Sequence, residues 1–282
     1  MTRRDGAGAP GGWSVAVDVL TRHRLQRLDL DPEAFEECTV AERVTRLYRR
    51  FVAAVPYESF TALARRRERP TEPSTWPRGT DRVLDDVAHA GLGGTCFALA
   101  YALADLFRGV GANAHTVLGQ RFGKETPHAA AIVYGDDGPR LYDPTFFVGA
   151  GLPVWPDASL DDGLFQYRLE ARRGPSLAVV QWVRGGGATP LYALVPMPAP
   201  PDAYRRLWIE AVRGLLSRPG RIARRVGDEL RRFRDDVGHV DVITATARRE
   251  VPLGPDPVAT LHRLFGVRED ALRAHLSAMV SG

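Results

Sequence analysis

Thr39 opens the clearest amphipathic run in the chain. Val40, Val44, Leu47 and Phe51 follow it at helical spacing, which predicts a helix with one buried face. Thr39-Val40-Ala41-Glu42 is a capping box, in which the two polar side chains satisfy free N–H groups of the first turn, and Pro56 ends the helix. Upstream, Trp13 to Leu28 reads as a first helix, after a Gly/Ala-rich tail over residues 1–12. Arg65 to Gly79, rich in arginine and proline, reads as a polar surface loop. The centre changes character. Thr95 to Val110 is apolar almost all round, with Asp105 and Arg108 as its charges, the pattern of a buried helix. The glycine-rich turn Gly91 to Gly94 precedes it, and Gly109 and Gly111 close it.

Strand patterns follow. Ala114 to Gln120 is a strand, and Ala129–Tyr134 and Arg140–Pro144 flank Gly135-Asp136-Asp137-Gly138 as a hairpin. Phe165–Ala171, Ser176–Val183 and Leu191–Val195 predict a small antiparallel sheet or barrel, with Gly185-Gly186-Gly187 at a hairpin tip. Asp202–Leu216 and Ile222–Phe233 read as helices, Val240–Val251 as one or two strands, and Pro257–Phe265 and Glu269–Met279 as terminal helices. The sharpest shift along the chain lies near residue 155, at Pro153, Trp155 and Pro156.

Composition narrows the class. The 282 residues are 44% hydrophobic and 26% charged, ordinary for a globular protein. No run of 18 apolar residues is present to span a membrane, and the N-terminus lacks the apolar core of a signal peptide, so a cytoplasmic location is expected. Two cysteines, Cys38 and Cys96, build neither a disulfide framework nor a Cys-rich zinc site. His89, His115 and His239 lack partners at metal-ligand spacing, so no metal is expected. Arginine supplies 37 of the 38 basic residues, Lys124 being the one lysine, and the net charge of +4 is too small to argue for nucleic acid. Arginines cluster between Arg213 and Arg234, including Arg218, Arg221, Arg224, Arg225, Arg231 and Arg232, as a solvated helix face or as a phosphate-binding patch.

Chemistry concentrates on Cys96. A cysteine opening a buried helix meets free N–H groups and the positive end of the helix dipole, which favour its thiolate. His128 stands at the entrance of the alanine-rich strand, and Asp143 at the far end of the next strand. If Asp136-Asp137 is a two-residue turn, His128 faces Thr145 and Ala130 faces Asp143 on one side of the sheet. His128 and Asp143 are then diagonal neighbours, about 7–8 Å apart at the backbone. A turn longer by one residue sends them to opposite faces. In the first register Cys96 is the nucleophile, His128 its base and Asp143 the group that orients the imidazole.

That order and placement resemble the transglutaminase-like cysteine acyltransferases, and within them the arylamine N-acetyltransferases. Val55-Pro56-Tyr57-Glu58-Ser59-Phe60 is similar to the family's Val-Pro-Phe-Glu-Asn-Leu, and Gly93-Gly94-Thr95-Cys96-Phe97 to its Arg-Gly-Gly-x-Cys-Phe. The step from His128 to Asp143 is the family's, and Leu261-His262-Arg263-Leu264-Phe265-Gly266-Val267 is similar to its closing Leu-x-x-x-Phe-Gly-Ile. The chain departs from the pattern at Leu92 (usually Arg), Ala98 (usually Glu) and Ala100 (usually Asn), and Pro144-Thr145-Phe146-Phe147 stands where the family reads Val-Gly-Phe-Gly. The resemblance implies an α+β fold with a catalytic Cys96–His128–Asp143 triad. Residues 13–110 form a helical domain carrying the nucleophile, 111–200 an antiparallel β domain with the histidine and aspartate, and 201–282 a C-terminal α/β lid region.

It also implies acyl transfer from a thioester donor, acetyl-CoA or another acyl thioester, to a small-molecule amine acceptor. No tightly bound cofactor, nucleic acid or membrane is involved, and an acyl carrier protein is an alternative donor. Tyr57, Phe60, Gly94, Thr95, Phe122 and Thr145 are the candidate substrate-binding residues. Two other readings stay open. The same triad serves a cysteine hydrolase or amidase, and the apolar replacements fit a binding relative without activity.

Overall fold

The computed structural model describes residues 17–123, 126–183, 187–215 and 219–280. The tail over residues 1–12, the start of the first helix, Arg218 and the first glycines of the Gly185 run lie outside them.

The N-terminal half is helical: α1 (Val19–Gln26), α2 (Pro32–Glu36), α3 (Val40–Ala54), the two-residue strand β1 (Tyr57–Glu58), α4 (Phe60–Glu68), α5 (Thr80–Ala90) and α6 (Cys96–Gly109). The Thr39 capping box forms as read, and Val44, Leu47 and Phe51 point into the core. The loop expected from Arg65 begins later, because α4 carries Arg65, Arg66 and Arg67 in its last turn, where cations oppose the negative end of the helix. Trp76, in the same stretch, is buried, with Arg66 over its ring at 5.5 Å.

Eight strands follow the helices: β2 (Asn113–Arg121), β3 (Pro127–Gly135), β4 (Gly138–Tyr142), β5 (Leu152–Pro153), β6 (Ser159–Asp161), β7 (Phe165–Ala171), β8 (Leu177–Val183) and β9 (Ala188–Leu194). They form one antiparallel sheet in the order β5-β4-β3-β2-β9-β8-β7-β6. The composition shift near residue 155 thus falls between strands of a single sheet. Helix α6 lies on β2 and β3. Both elements carry small buried residues, Ala98, Ala100, Ala102 and Ala104 on the helix and Ala129, Ala130 and Ala131 on β3, of which only alternate strand positions can face the helix. Short side chains let helix and sheet approach closely, and larger ones fill the flanks. Phe97 and Phe107 are fully buried there, each worth about 1.5–3 kcal/mol of transfer free energy.

The C-terminal part comprises α7 (Pro201–Arg213), β10 (Arg221–Val226), β11 (Glu229–Arg234), β12 (His239–Ile243), β13 (Arg248–Pro252), α8 (Pro257–Phe265) and α9 (Glu269–Val280). The helix expected over Ile222–Phe233 is instead the β10–β11 hairpin. Ile222, Val226, Leu230 and Phe233 are spaced as on a helix, but Gly227 at φ +58° turns the chain back between Val226 and Glu229. β10 to β13 form a second antiparallel sheet, and β1 joins its edge through Tyr57 opposite Ala223. The arginine cluster is therefore no solvated helix face. Arg224 and Arg231 donate to the carbonyls of Phe265 and Leu264 at the end of α8, where cations are favoured. Among the described residues no helix is long and apolar enough to cross a membrane.

Candidate active site

Cys96 is the first residue of α6 and half buried. The side chain of Thr95, at the cap position, makes no capping hydrogen bond, which leaves N–H groups of the first turn available to an anion. The turn before it is wedged in place. A Cβ at Gly93 would lie 2.0 Å from the Pro56 carbonyl oxygen, and one at Gly94 would lie 2.4 Å from Arg78 Nη2, so only glycine fits at either position. Glu58 N donates to Gly94 O at 2.9 Å, which ties the turn before Cys96 to β1 and through it to the second sheet.

Beneath this turn lies a guanidinium that the sequence did not single out. Arg78 is buried; its Nη2 donates to Gly93 O at 2.7 Å, its Nη1 pairs with Asp86, and Glu58 Oε1 stands 3.9 Å away. Glu58 is fully buried and accepts from Thr61 N at 2.9 Å and Thr61 Oγ1 at 2.6 Å. Burial raises its pKa, and Arg78 and Thr61 oppose that rise. Leu92, where the related motif carries arginine, packs in the second core with Phe60, Phe265 and Val267. The positive charge beside the turn comes from Arg78 instead.

His128 and Asp143 meet as the two-residue turn requires. Gly135 pairs with Gly138 and Ala131 with Tyr142, the register in which Asp136-Asp137 forms the turn. His128 Nε2 lies 2.8 Å from Asp143 Oδ2, and both side chains are buried. The other carboxylate oxygen, Oδ1, accepts from the backbone N–H groups of Thr145 at 2.9 Å and Phe146 at 3.2 Å. Burial pushes Asp143 up, but the His128 charge and hydrogen bond, with contributions from Tyr192 and the Phe146 amide, bring it below the ordinary value. Burial also opposes a charge on His128. Asp143, then Cys96 as hydrogen-bond partner and charge, outweigh it and raise His128 to about 9. With Nε2 committed to Asp143, Nδ1 is the ring nitrogen left for the Cys96 sulfur. The imidazole packs against Tyr192 (ring centroids 4.3 Å) and Phe146 (5.2 Å), two rings that stack on each other at 5.6 Å and that the sequence did not mark.

The segment after Asp143 is pinned. Tyr167 donates to the Phe146 carbonyl at 2.9 Å, Arg225 to that of Phe147 at 3.3 Å, and Tyr48 to that of Val148. Arg225 reaches across from β10 and also pairs with buried Asp162 at 2.8 Å, which accepts from Gly149 N. Phe147 adopts φ +55°, a left-handed conformation, at the position where the related motif has glycine. A bulky residue pays about 1–2 kcal/mol for that conformation, and its buried ring and bonded carbonyl hold it there.

A cleft of about 970 Å³ opens between the two sheets; Tyr57, Thr145 and Phe146 line it, while Cys96, His128 and Asp143 are not among its lining residues. Tyr57 feels the Cys96 charge as well as Arg121 and Arg221, and burial, the largest influence, raises its hydroxyl to about 12. Of the candidate binding residues, Tyr57 and Thr145 line this cleft and Gly94 and Thr95 belong to the turn before Cys96. Phe60 does not take part: it is buried in the second core, stacked on His275 at 3.7 Å. Phe122 lies away from the cleft lining, with Arg172 over its ring at 5.2 Å. His239, expected to stand alone, faces Asp241 and Glu250 because β12 pairs with β13. The three offer ligand atoms within 4.8 Å of one another, but Arg248 already holds Asp241 Oδ1 at 2.7 Å, and the group reads as an ion-pair network.

No family model matches the chain, and no curated protein matches it in sequence. Solved structures do match in shape. The arylamine N-acetyltransferase from Salmonella typhimurium is 16% identical, with a TM-score of 0.73 over 93% of this chain and 99% of that one. The arylamine N-acetyltransferase from Mycobacterium abscessus is 17% identical, with a TM-score of 0.74 over 95% and 99%. That of Mycobacterium marinum, solved in complex with CoA, is 17% identical, with a TM-score of 0.71 over 89% and 96%. Nearly the whole chain thus has the fold of the arylamine N-acetyltransferases.

Proposed function

We propose that the protein is an acyltransferase that carries an acyl group from a thioester donor to an amine through a thioester on Cys96. The observation that carries this reading is the buried His128–Asp143 pair at 2.8 Å with Cys96 as the imidazole's second hydrogen-bond partner. An imidazole raised to about 9, chiefly by Asp143, is protonated at neutral pH, and the proposed reaction uses Cys96 beside it as the nucleophile. The thiolate attacks the donor carbonyl, and the oxyanion that forms meets the free N–H groups at the start of α6. The C–S bond to the donor then breaks, and the departing sulfur takes the proton from His128. The neutral imidazole next removes a proton from the attacking amine, the amide forms, and Cys96 leaves as thiolate, which restores the starting charges. Asp143 stays ionised throughout and holds the ring.

Acetyl-CoA or another acyl-CoA is the proposed donor, supported by the neighbour solved with CoA. The acceptor is a small amine, supported by the names that the neighbours carry. Steady-state kinetics with acetyl-CoA and a panel of aromatic amines test the reading. Parallel double-reciprocal lines are expected, with activity lost in Cys96→Ala and His128→Gln. Turnover that survives Cys96→Ala overturns it, and acyl release to water that no amine accelerates replaces it with the hydrolase reading.

A further inference from the structure

Tyr57 stands where the cleft wall meets the turn before Cys96. Its backbone bridges Gly94 in parallel, and two hydrogen bonds flank the bridge, Glu58 N to Gly94 O at 2.9 Å and Gly94 N to Pro56 O at 3.4 Å. On its other edge Tyr57 pairs with Ala223 of β10. Its backbone is thus held from both sides, which fixes where the ring starts. The side chain lines the cleft beside Thr145 and Phe146, which follow Asp143 closely in sequence.

The hydroxyl itself is uncommitted. Among the described residues it has no hydrogen-bond partner, whereas Tyr48, Tyr167 and Tyr204 each donate to a backbone carbonyl. Burial pushes it up to about 12, a charge on Cys96 acts the same way, and Arg121 and Arg221 oppose them. The phenol therefore keeps its proton at neutral pH and is a donor there. A negative sulfur and two guanidiniums also orient it, since the hydrogen turns toward the anion and the oxygen lone pairs toward the cations. The related motif has phenylalanine at this position, so the hydroxyl is a departure made by this chain.

From this uncommitted donor tied to the turn before Cys96, and resting on the acyl-transfer reading above, we propose that Tyr57 is a catalytic residue whose hydroxyl donates to the oxyanion formed at Cys96. As the sulfur bonds to the donor carbonyl carbon, the C=O π pair moves onto oxygen. The N–H groups at the start of α6 supply backbone donors to that oxygen, and Tyr57 adds a side-chain donor from the cleft wall. No proton changes hands in this contact. When the C=O bond re-forms and the donor thiol leaves, the phenol is released unchanged. Attack of the amine on the Cys96 thioester builds the same oxyanion again, so the hydroxyl serves both half-reactions.

Tyr57→Phe tests this, because it removes one oxygen atom and keeps the ring. Two reactions of the same sulfur are timed in wild type and variant: acylation by p-nitrophenyl acetate, read as a burst of nitrophenolate, and alkylation by iodoacetamide. Displacement at the saturated carbon of iodoacetamide forms no oxyanion, so the ratio of the two rates cancels any general disturbance of Cys96. Acylation about 100-fold slower is expected in the variant, with alkylation within about twofold of wild type at every pH. With acetyl-CoA and an aromatic amine, kcat should fall by a similar factor while both KM values hold. An unchanged ratio overturns the role and leaves acyl transfer standing, whether both rates hold or both fall together. A raised KM with kcat unchanged assigns the hydroxyl to ground-state binding and also overturns it. Acylation that depends on the hydroxyl but that no amine discharges upholds the role and overturns acyl transfer to amines. A wild type that no ester or thioester acylates overturns both.

Discussion

His128 Nε2 lies 2.8 Å from Asp143 Oδ2, and neither side chain reaches solvent. The pair therefore links folding to pH. His128 is raised from 6.5 to about 9, so the stability it contributes is complete below about 6.5 and is lost as pH rises through 9. Asp143 is lowered from 3.8, so its contribution is present above that value and is lost as pH falls through its folded pKa. The melting-temperature gap between wild type and Asp143→Asn should be widest between about pH 4 and 6.5 and should shrink above about 9. A gap that does not vary with pH contradicts the ion pair.

Arg78 under the turn before Cys96 gives a second expectation. Arg78→Met strands buried Glu58 and frees the Gly93 carbonyl. Breaking a buried charge cluster costs about 3–5 kcal/mol, which urea unfolding measures. Glu58 has a raised folded pKa, so the deficit should grow as pH rises past the ordinary 4.5 of glutamate, and Glu58→Gln in the same chain should recover part of it. The exposed Arg268–Asp270 pair serves as the control, and its removal should leave the unfolding midpoint unchanged. Equal effects from the two sites would show that Arg78 supports nothing.

Gly93→Ala tests the wedge. The added methyl would stand 2.0 Å from the Pro56 carbonyl and 2.8 Å from Val55 Cγ1, both parts of a packed segment. Overpacking of this kind costs about 1–3 kcal/mol. Because the strain falls on the turn that presents Cys96, alkylation by iodoacetamide should change along with stability. A stable variant whose cysteine reacts at the wild-type rate would mean that the turn has room to spare.

The fold class and the placing of Cys96, His128 and Asp143 were legible in the sequence, while the C-terminal strands β10 and β11 were not. Cys96, His128 and Asp143 were legible because each obeys a local rule: a glycine turn opening a buried helix, a strand entrance, and a hairpin whose register the Asp136-Asp137 turn fixes. Residues that act from a distance left no local signal. Arg78 sits in a proline-rich stretch, and Tyr192 and Phe146 look like ordinary strand and turn aromatics until the fold packs them, tilted, against His128. The β10–β11 hairpin misled because its apolar residues fall at helical spacing, and Gly227 alone carried the contrary signal. Phe60 misled differently: it follows the Val55-Pro56-Tyr57-Glu58 segment that braces the turn before Cys96, yet its ring turns into the second core.

The central claim is a covalent acyl group on Cys96. The direct measurement is the intact mass of the protein after incubation with a set of acyl-CoA donors and no acceptor, with Cys96→Ala beside it. The account predicts a mass increase equal to the acyl group in the wild type alone, removed when an amine is added. An adduct of equal size in Cys96→Ala, or none with any thioester while Cys96 alkylates as an ordinary thiol, would contradict it.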